Sequence, residues 1–198
     1  MRRLFCILLL FLSMAVSGLA KEGIKPSTAS YTMALLPLMN TSTLDQRTLE
    51  AVANAVDDAV AKKYPPKKTK VQFITTEAVN EALLACPLEN PEAPRLDELV
   101  RLGRYLRADR VLYVGVMAAS DKESGFMVLV GSGTIRANVT LKQKCVDVQT
   151  GSFLFNENTT AKGASNSVNV WRIGSPSKLR AVKKGAAEAM RQMLISFD

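Results

Sequence analysis

Thr134-Ile135-Arg136-Ala137-Asn138-Val139-Thr140-Leu141-Lys142 alternates apolar and polar residues without exception. Ile135, Ala137, Val139 and Leu141 fall on one side, and Arg136, Asn138 and Thr140 on the other. The segment therefore reads as a half-buried antiparallel strand. The alternation changes phase near Gln143-Lys144, where a β-bulge is expected. Beyond Val146–Val148, the Thr150-Gly151 turn leads into a returning strand from Ser152 to about Ala161. A glycine there is free to take the positive φ that a tight hairpin needs.

Working back from this hairpin, Arg110–Ala118 (RVLYVGVMA) is a strongly apolar strand, followed by a turn at Asp121–Gly125 and a further strand at Phe126–Val130. Upstream, Tyr31–Met39 (YTMALLPLM) is an apolar run of strand length. Thr43-Leu44-Asp45-Gln46 has the form of a capping box. Leu49, Val52, Val56, Ala59 and Lys63 then recur at helical spacing until Tyr64-Pro65-Pro66, where proline ends the hydrogen-bond ladder. Val71–Ile74 reads as a strand and Glu77–Leu84 as a second helix. Pro87, Pro91 and Pro94 bracket a connection to a third helix marked by Leu96, Leu99, Gly103 and Leu106.

Ser175-Pro176 opens the last helix, with serine as cap and proline in the first turn. Leu179, Val182, Ala186, Met190, Met193 and Phe197 form its apolar face. That face is expected to cover the sheet; the competing reading is a helix lying on a membrane, given its basic Lys178, Lys183, Lys184 and Arg191. The fold class is α/β (α+β): a single mixed sheet of about five to six strands covered by helices, in the order β-α-β-α-α-β-β-β-β-α.

Residues 1–20 have the form of a cleavable signal peptide. Met1-Arg2-Arg3 precedes an apolar run from Leu4 to Val16, then Ser17-Gly18-Leu19-Ala20. About 13 apolar residues fall short of the roughly 20 that span a bilayer. Cleavage is expected after Ala20, taking Cys6 with it. Residues 21–30 read as a tether and 31–198 as one domain. With no cysteine at the junction, the exported protein is expected not to be a lipoprotein. Its place is periplasmic or otherwise extracytoplasmic.

Formal charge is +8, falling to +6 once Arg2 and Arg3 are removed. Such a surplus bears on association and not on fold, and export argues against a nucleic-acid partner. Cys86 and Cys145 remain in an oxidising compartment. A bridge between them would contribute about 4 kcal/mol on the chain-entropy model; the alternative is two small buried hydrophobes. Both readings stay open on sequence alone.

The chain contains no histidine. Ser-His-Asp and Cys-His catalysis and histidine-built metal sites are therefore excluded, and two cysteines cannot close a zinc site. Gly131-Ser132-Gly133 reads as a turn or bulge, because Arg136 stands where a dinucleotide fingerprint needs glycine. Ser175-Pro176-Ser177-Lys178 matches S-x-x-K without the K-T-G or S-D-N partners of penicillin-recognising enzymes. Asp57-Asp58 reads as solvated surface, and Asn40, Asn138 and Asn158 sit in chance N-x-[ST] triplets. Basic residues cluster at Lys62, Lys63, Lys67, Lys68 and Lys70, and again as an Arg101, Arg104 and Arg107 stripe. No aromatic interleaving accompanies either cluster. No catalytic, cofactor-binding or metal-binding residue is expected, and no cofactor.

Ala34-Leu35-Leu36-Pro37-Leu38-Met39-Asn40, Leu102-Gly103-Arg104-Tyr105-Leu106-Arg107-Ala108-Asp109-Arg110-Val111-Leu112-Tyr113-Val114-Gly115 and Val146-Asp147-Val148-Gln149-Thr150-Gly151 occur in that order. Together they resemble motifs of the bacterial envelope superfamily that includes the curli secretion component CsgG, LpoB and the amino-terminal domain of TolB. The resemblance covers about residues 31–197. Pro37 suits a strand end, Asn40 a turn, Gly103 close helix packing, and Asp109 a cap or turn before the strand. Curli-type channels carry a lipobox and pore hairpins, and Met117–Arg136 is too short for two membrane strands and a turn. The resemblance implies a soluble protein-binding domain of the cell envelope, and the lack of histidine and of a convergent catalytic motif makes the expected role a non-enzymatic one in assembly, export or regulation. Its expected partners are envelope proteins or further copies of itself. The alternative is a module that binds an anionic polymer or membrane surface through basic residues.

Overall fold

The computed structural model describes residues 30–42, 44–65, 69, 71–117, 134–166 and 177–196. Its strands are β1 (Tyr31–Leu35), β2 (Met39–Thr41), β3 (Val71–Phe73), β4 (Arg110–Met117), β5 (Thr134–Asp147) and β6 (Ser152–Asn166). The helices are α1 (Gln46–Lys63), α2 (Thr76–Ala85), α3 (Leu96–Leu106) and α4 (Lys178–Ser196). They form one mixed sheet in the order β3-β1-β4-β5-β6, with β2 also paired to β4. β1 runs parallel to β3 and β4, and the long β5–β6 hairpin closes the sheet antiparallel to β4. The fold class read from the sequence is the one observed. The strand expected at Phe126–Val130 and the turn at Gly131–Gly133 lie outside the described residues.

β4 is buried from Val111 to Val116 because helices cover both faces of the sheet there, as its unbroken apolar run requires. One core sets Met33, Leu112, Val114, Val139 and Leu141 against α1 and α4. The other sets Ala34, Val111, Tyr113, Val146 and Val148 against α2 and α3. Val182, Ala186, Met190 and Met193 of α4 are buried, so its apolar face covers the sheet as expected. The valine and each methionine contribute roughly 1.5–3 kcal/mol. Phe197 lies outside the described residues.

The local details correct several expectations. Tyr31–Met39 is not one strand: it breaks at Pro37, which has no N–H for the ladder, and resumes as β2 farther along β4. The cap of α1 is Asp45, whose carboxylate accepts from the Thr48 backbone N–H at 2.9 Å and the Thr48 hydroxyl at 2.7 Å. Gln46 is thus the first helical residue, too early to close the expected box, and its side chain bonds Glu50 instead. α4 begins at Lys178, with the Ser177 hydroxyl accepting from the Arg180 N–H. Ser175 and Pro176 lie outside the described residues.

The alternation of β5 never changes phase. Gln143 and Lys144 occupy buried inward positions, and the register shift falls at Cys145/Val146, where Leu154 of β6 is passed over. Cys86 and Cys145 are both free, and they pack against opposite faces of the sheet. Gly103 provides the expected close approach: a Cβ there would stand 2.4 Å from Val148 Cγ2. Gly151 has φ +65°. Asp109, read as a cap or turn, is a strand clamp, accepting from the Thr32 N–H at 2.7 Å and the Thr32 hydroxyl at 2.9 Å. Asn40 ties the turn after β2, its side-chain oxygen accepting from the Ser42 N–H at 3.0 Å.

Candidate functional site

The break at Pro37 opens a groove of about 460 Å³ at the carboxyl ends of β1 and β3. Such strand ends are where open α/β sheets leave room for a ligand. The Leu36 N–H still reaches the Leu112 carbonyl at 2.9 Å, which keeps the chain on the sheet as it turns away. Leu35, Leu38, Val60 and Ile74 line the groove. Tyr64 and Phe73 form one wall, their ring centroids 5.9 Å apart and tilted by 58°. Phe73 is 37% exposed. Asp57 supplies the only carboxylate of the lining among the described residues, and burial, then the neighbouring Asp58, raises its pKa. Among the described residues the other polar side chains of the lining are the Tyr64 and Thr76 hydroxyls. The arrangement suits apolar side chains of a partner better than it suits proton transfer.

A second concavity, of about 510 Å³, lies between α1 and α4. Its floor is Ala59, Ala187, Leu194 and Ile195, and its walls carry Lys62 and Lys63 on one side and Lys184 and Arg191 on the other. Its two carboxylates already have partners. Asp58 meets Lys183 at 3.0 Å, and Glu188 holds the Arg191 guanidinium, which drops the Glu188 pKa to about 2. The structure therefore joins part of the lysine cluster to the basic side of α4. Lys67, Lys68 and Lys70 lie outside the described residues. Arg101, Arg104 and Arg107 are exposed on and just beyond α3, with Arg101 donating to the Pro87 carbonyl.

Polar groups converge a third time beneath the proline-rich connection. Glu98 is buried, and its two oxygens accept from the Glu89 and Arg95 N–H groups at 2.6 Å each. The Tyr113 hydroxyl donates to the Glu92 carbonyl at 2.9 Å, and burial lifts its pKa to about 12. Lys144 donates to the Pro94 carbonyl at 2.6 Å, and burial lowers its pKa. Every one of these groups is spent on loop backbone, so the cluster is a latch holding that connection onto the sheet. The sequence reading missed it. Its one signal was a lysine at an inward strand position.

Among the described residues no group of His, Cys, Asp or Glu could hold a metal ion. No helix among them is long and apolar enough to cross a membrane. Asp57 and Asp58 are both exposed, as a solvated face requires, and Asp58 pairs with Lys183. Ser175 of the S-x-x-K match lies outside the described residues.

No family model matches the sequence, and no curated protein matches it. Solved structures do. The LpoB C-terminal domain from Escherichia coli is 16% identical over 72% of this chain and 87% of that one, at a TM-score of 0.43. Lipoprotein GNA1162 from Neisseria meningitidis is 20% identical over 71% and 88%, at 0.44. The hypothetical protein CT253 from Chlamydia trachomatis is 16% identical over 84% and 92%, at 0.44. Likenesses of this size carry no functional argument, so function rests on the chain's own residues.

Proposed function

We propose that the chain is a non-enzymatic module, exported after loss of residues 1–20 and without a lipid anchor, that binds another protein of the cell envelope. The observation that carries this reading is the open apolar groove at the ends of β1 and β3, walled by Tyr64 and Phe73. Apolar pockets with an aromatic wall are where protein partners place their anchors. The absence of histidine from the sequence removes the commonest general base, and among the described residues no second carboxylate or basic group lines the groove beside Asp57. A pull-down from envelope extract with wild type and Leu38→Asp tests it. One protein retained at moderate salt by wild type and lost by the variant supports the reading.

Attachment to an anionic polymer or membrane surface is the second reading, favoured by the cations that flank the α1–α4 cleft. Salt separates the two. Surface attraction collapses as ionic strength rises, because exposed charges are screened beyond about 8–10 Å, whereas an apolar anchor persists.

A further inference from the structure

Helix α2 presents Glu77, Glu81 and Leu84 on one outward stripe, spaced i, i+4 and i+7. Leu84 is 84% exposed, and Val79 and Ala82 on the opposite side are buried in the core. The helix contains no basic residue. Among the described residues neither carboxylate has a cation within salt-bridge distance. An exposed apolar residue in line with two carboxylates has its complement elsewhere on the same molecule. The α1–α4 cleft has an apolar floor with Ile195 half exposed, and exposed Lys62 and Lys184 stand on opposite walls with no carboxylate within salt-bridge distance among the described residues.

We propose that the chain assembles head to tail, with α2 of one copy seated in the α1–α4 cleft of the next. Three features select this occupant. Lys62 and Lys184 stand over an apolar floor, which fits a helix carrying its carboxylates and its exposed leucine on one stripe better than a single anionic headgroup. The floor includes Ala59 and Ala187, small enough for another helix to come near. The two surfaces lie on opposite faces of the sheet, α2 in one core layer and α1 with α4 in the other. One molecule therefore cannot satisfy its own cleft. Two-fold pairing of like surfaces is disfavoured too, since cleft on cleft brings lysines together and α2 on α2 brings carboxylates together. What remains is a heterologous contact, which builds rings or filaments. A single short helix in a cleft is a small interface, so association belongs to the micromolar range. The proposal is separate from the envelope partner of the β1–β3 groove, and either can fail alone.

Sedimentation velocity on the exported chain tests it, with Leu84→Lys as the donor variant and Lys62→Glu/Lys184→Glu as the acceptor variant. All three positions are exposed, and circular dichroism would show that the variants fold. Wild type at about 50 mM salt should form dimers and larger species as concentration rises, and about 300 mM salt should weaken them. Each variant alone should associate about tenfold or more weakly. Mixed together, the two should form a one-to-one complex and stop there, because only one intact cleft faces one intact helix. The proposal is overturned if wild type stays monomeric at about 300 µM, far above a micromolar dissociation constant. It is equally overturned if either variant alone associates like wild type, or if the mixture yields no complex. Wild type that stays monomeric but sediments with phosphatidylglycerol vesicles would assign the cleft to a bilayer and overturn it as well.

Discussion

Gly163 of β6 lies directly against Gly185 of α4. A Cβ built on Gly163 would stand 1.8 Å from the Ala181 carbonyl oxygen and 2.4 Å from the Gly185 nitrogen. Backbone meets backbone here, with no flexible side chain to give way. Gly163→Ala should cost about 2–4 kcal/mol, since the helix must lift off the strand to admit one methyl. Gly185→Ala meets the Val139 Cγ2 atom at 2.9 Å, a side chain that can shift, and should cost less. Urea denaturation of the two variants gives the order; equal midpoints would show that α4 does not sit this close.

Met190 and Gln143 face each other in the same layer, where the Gln143 amide donates to the Ala189 carbonyl and the Met190 sulfur. The Gln143 side-chain oxygen is buried without a partner among the described residues. Gln143→Met should therefore be neutral or stabilise by up to about 1 kcal/mol, because the unpaired acceptor disappears. Met190→Asp places a charge in the same layer and should unfold the domain or destabilise it by about 3 kcal/mol or more. Thermal melts of both variants check the pair. A Met190→Asp variant with the parent's melting temperature would mean that α4 is not a core helix.

Acid should weaken the fold through depressed carboxyls. Side-chain and backbone bonds from Thr48 lower the Asp45 pKa, backbone and side-chain bonds from Thr150 lower that of Asp147, and Arg191 takes Glu188 to about 2. These groups stay ionised in the folded chain where the unfolded chain has begun to take up protons. Their contribution is present above the unfolded values, near pH 4–4.5, and is lost as pH falls toward about 2. Melting temperature should drop steadily over that window. Asp147→Asn should flatten part of the slope, and a profile unchanged by that substitution contradicts the assignment.

The cysteines should behave as two unlike free thiols. Burial pushes the Cys145 thiol up to about 12, and the residue is fully enclosed, whereas Cys86 is partly exposed. Iodoacetamide should modify Cys86 in the native protein and Cys145 only after unfolding, since the thiolate is the reactive form. A non-reduced mass two hydrogens short of the free-thiol value would contradict the separation by the sheet.

How far the sequence could be read follows from which residues obey a period. The strict alternation of β5 and the continuous apolar run of β4 expose one covered face and two, respectively, and fix a mixed sheet with helices. The same rule failed at Gln143-Lys144, because a polar residue that finds a partner indoors breaks the hydrophobic pattern without bending the strand. Asp45 was overlooked as a cap because Thr43 offered a motif two residues earlier. The β1–β3 groove was invisible: Leu38, Tyr64 and Phe73 belong to three separate segments, and only the sheet order brings them together. The lysine end of α1 was legible as charge, but its juxtaposition with Lys184 and Arg191 depends on helix packing that no local pattern encodes.

Photo-crosslinking from Phe73 tests the central claim most directly. With a photoreactive residue at that position, the exported protein should cross-link to one envelope protein in cells, and Leu38→Asp in the same groove should abolish the adduct while the domain stays folded. Absence of any protein adduct from Phe73, or an adduct that survives Leu38→Asp unchanged, would contradict the account.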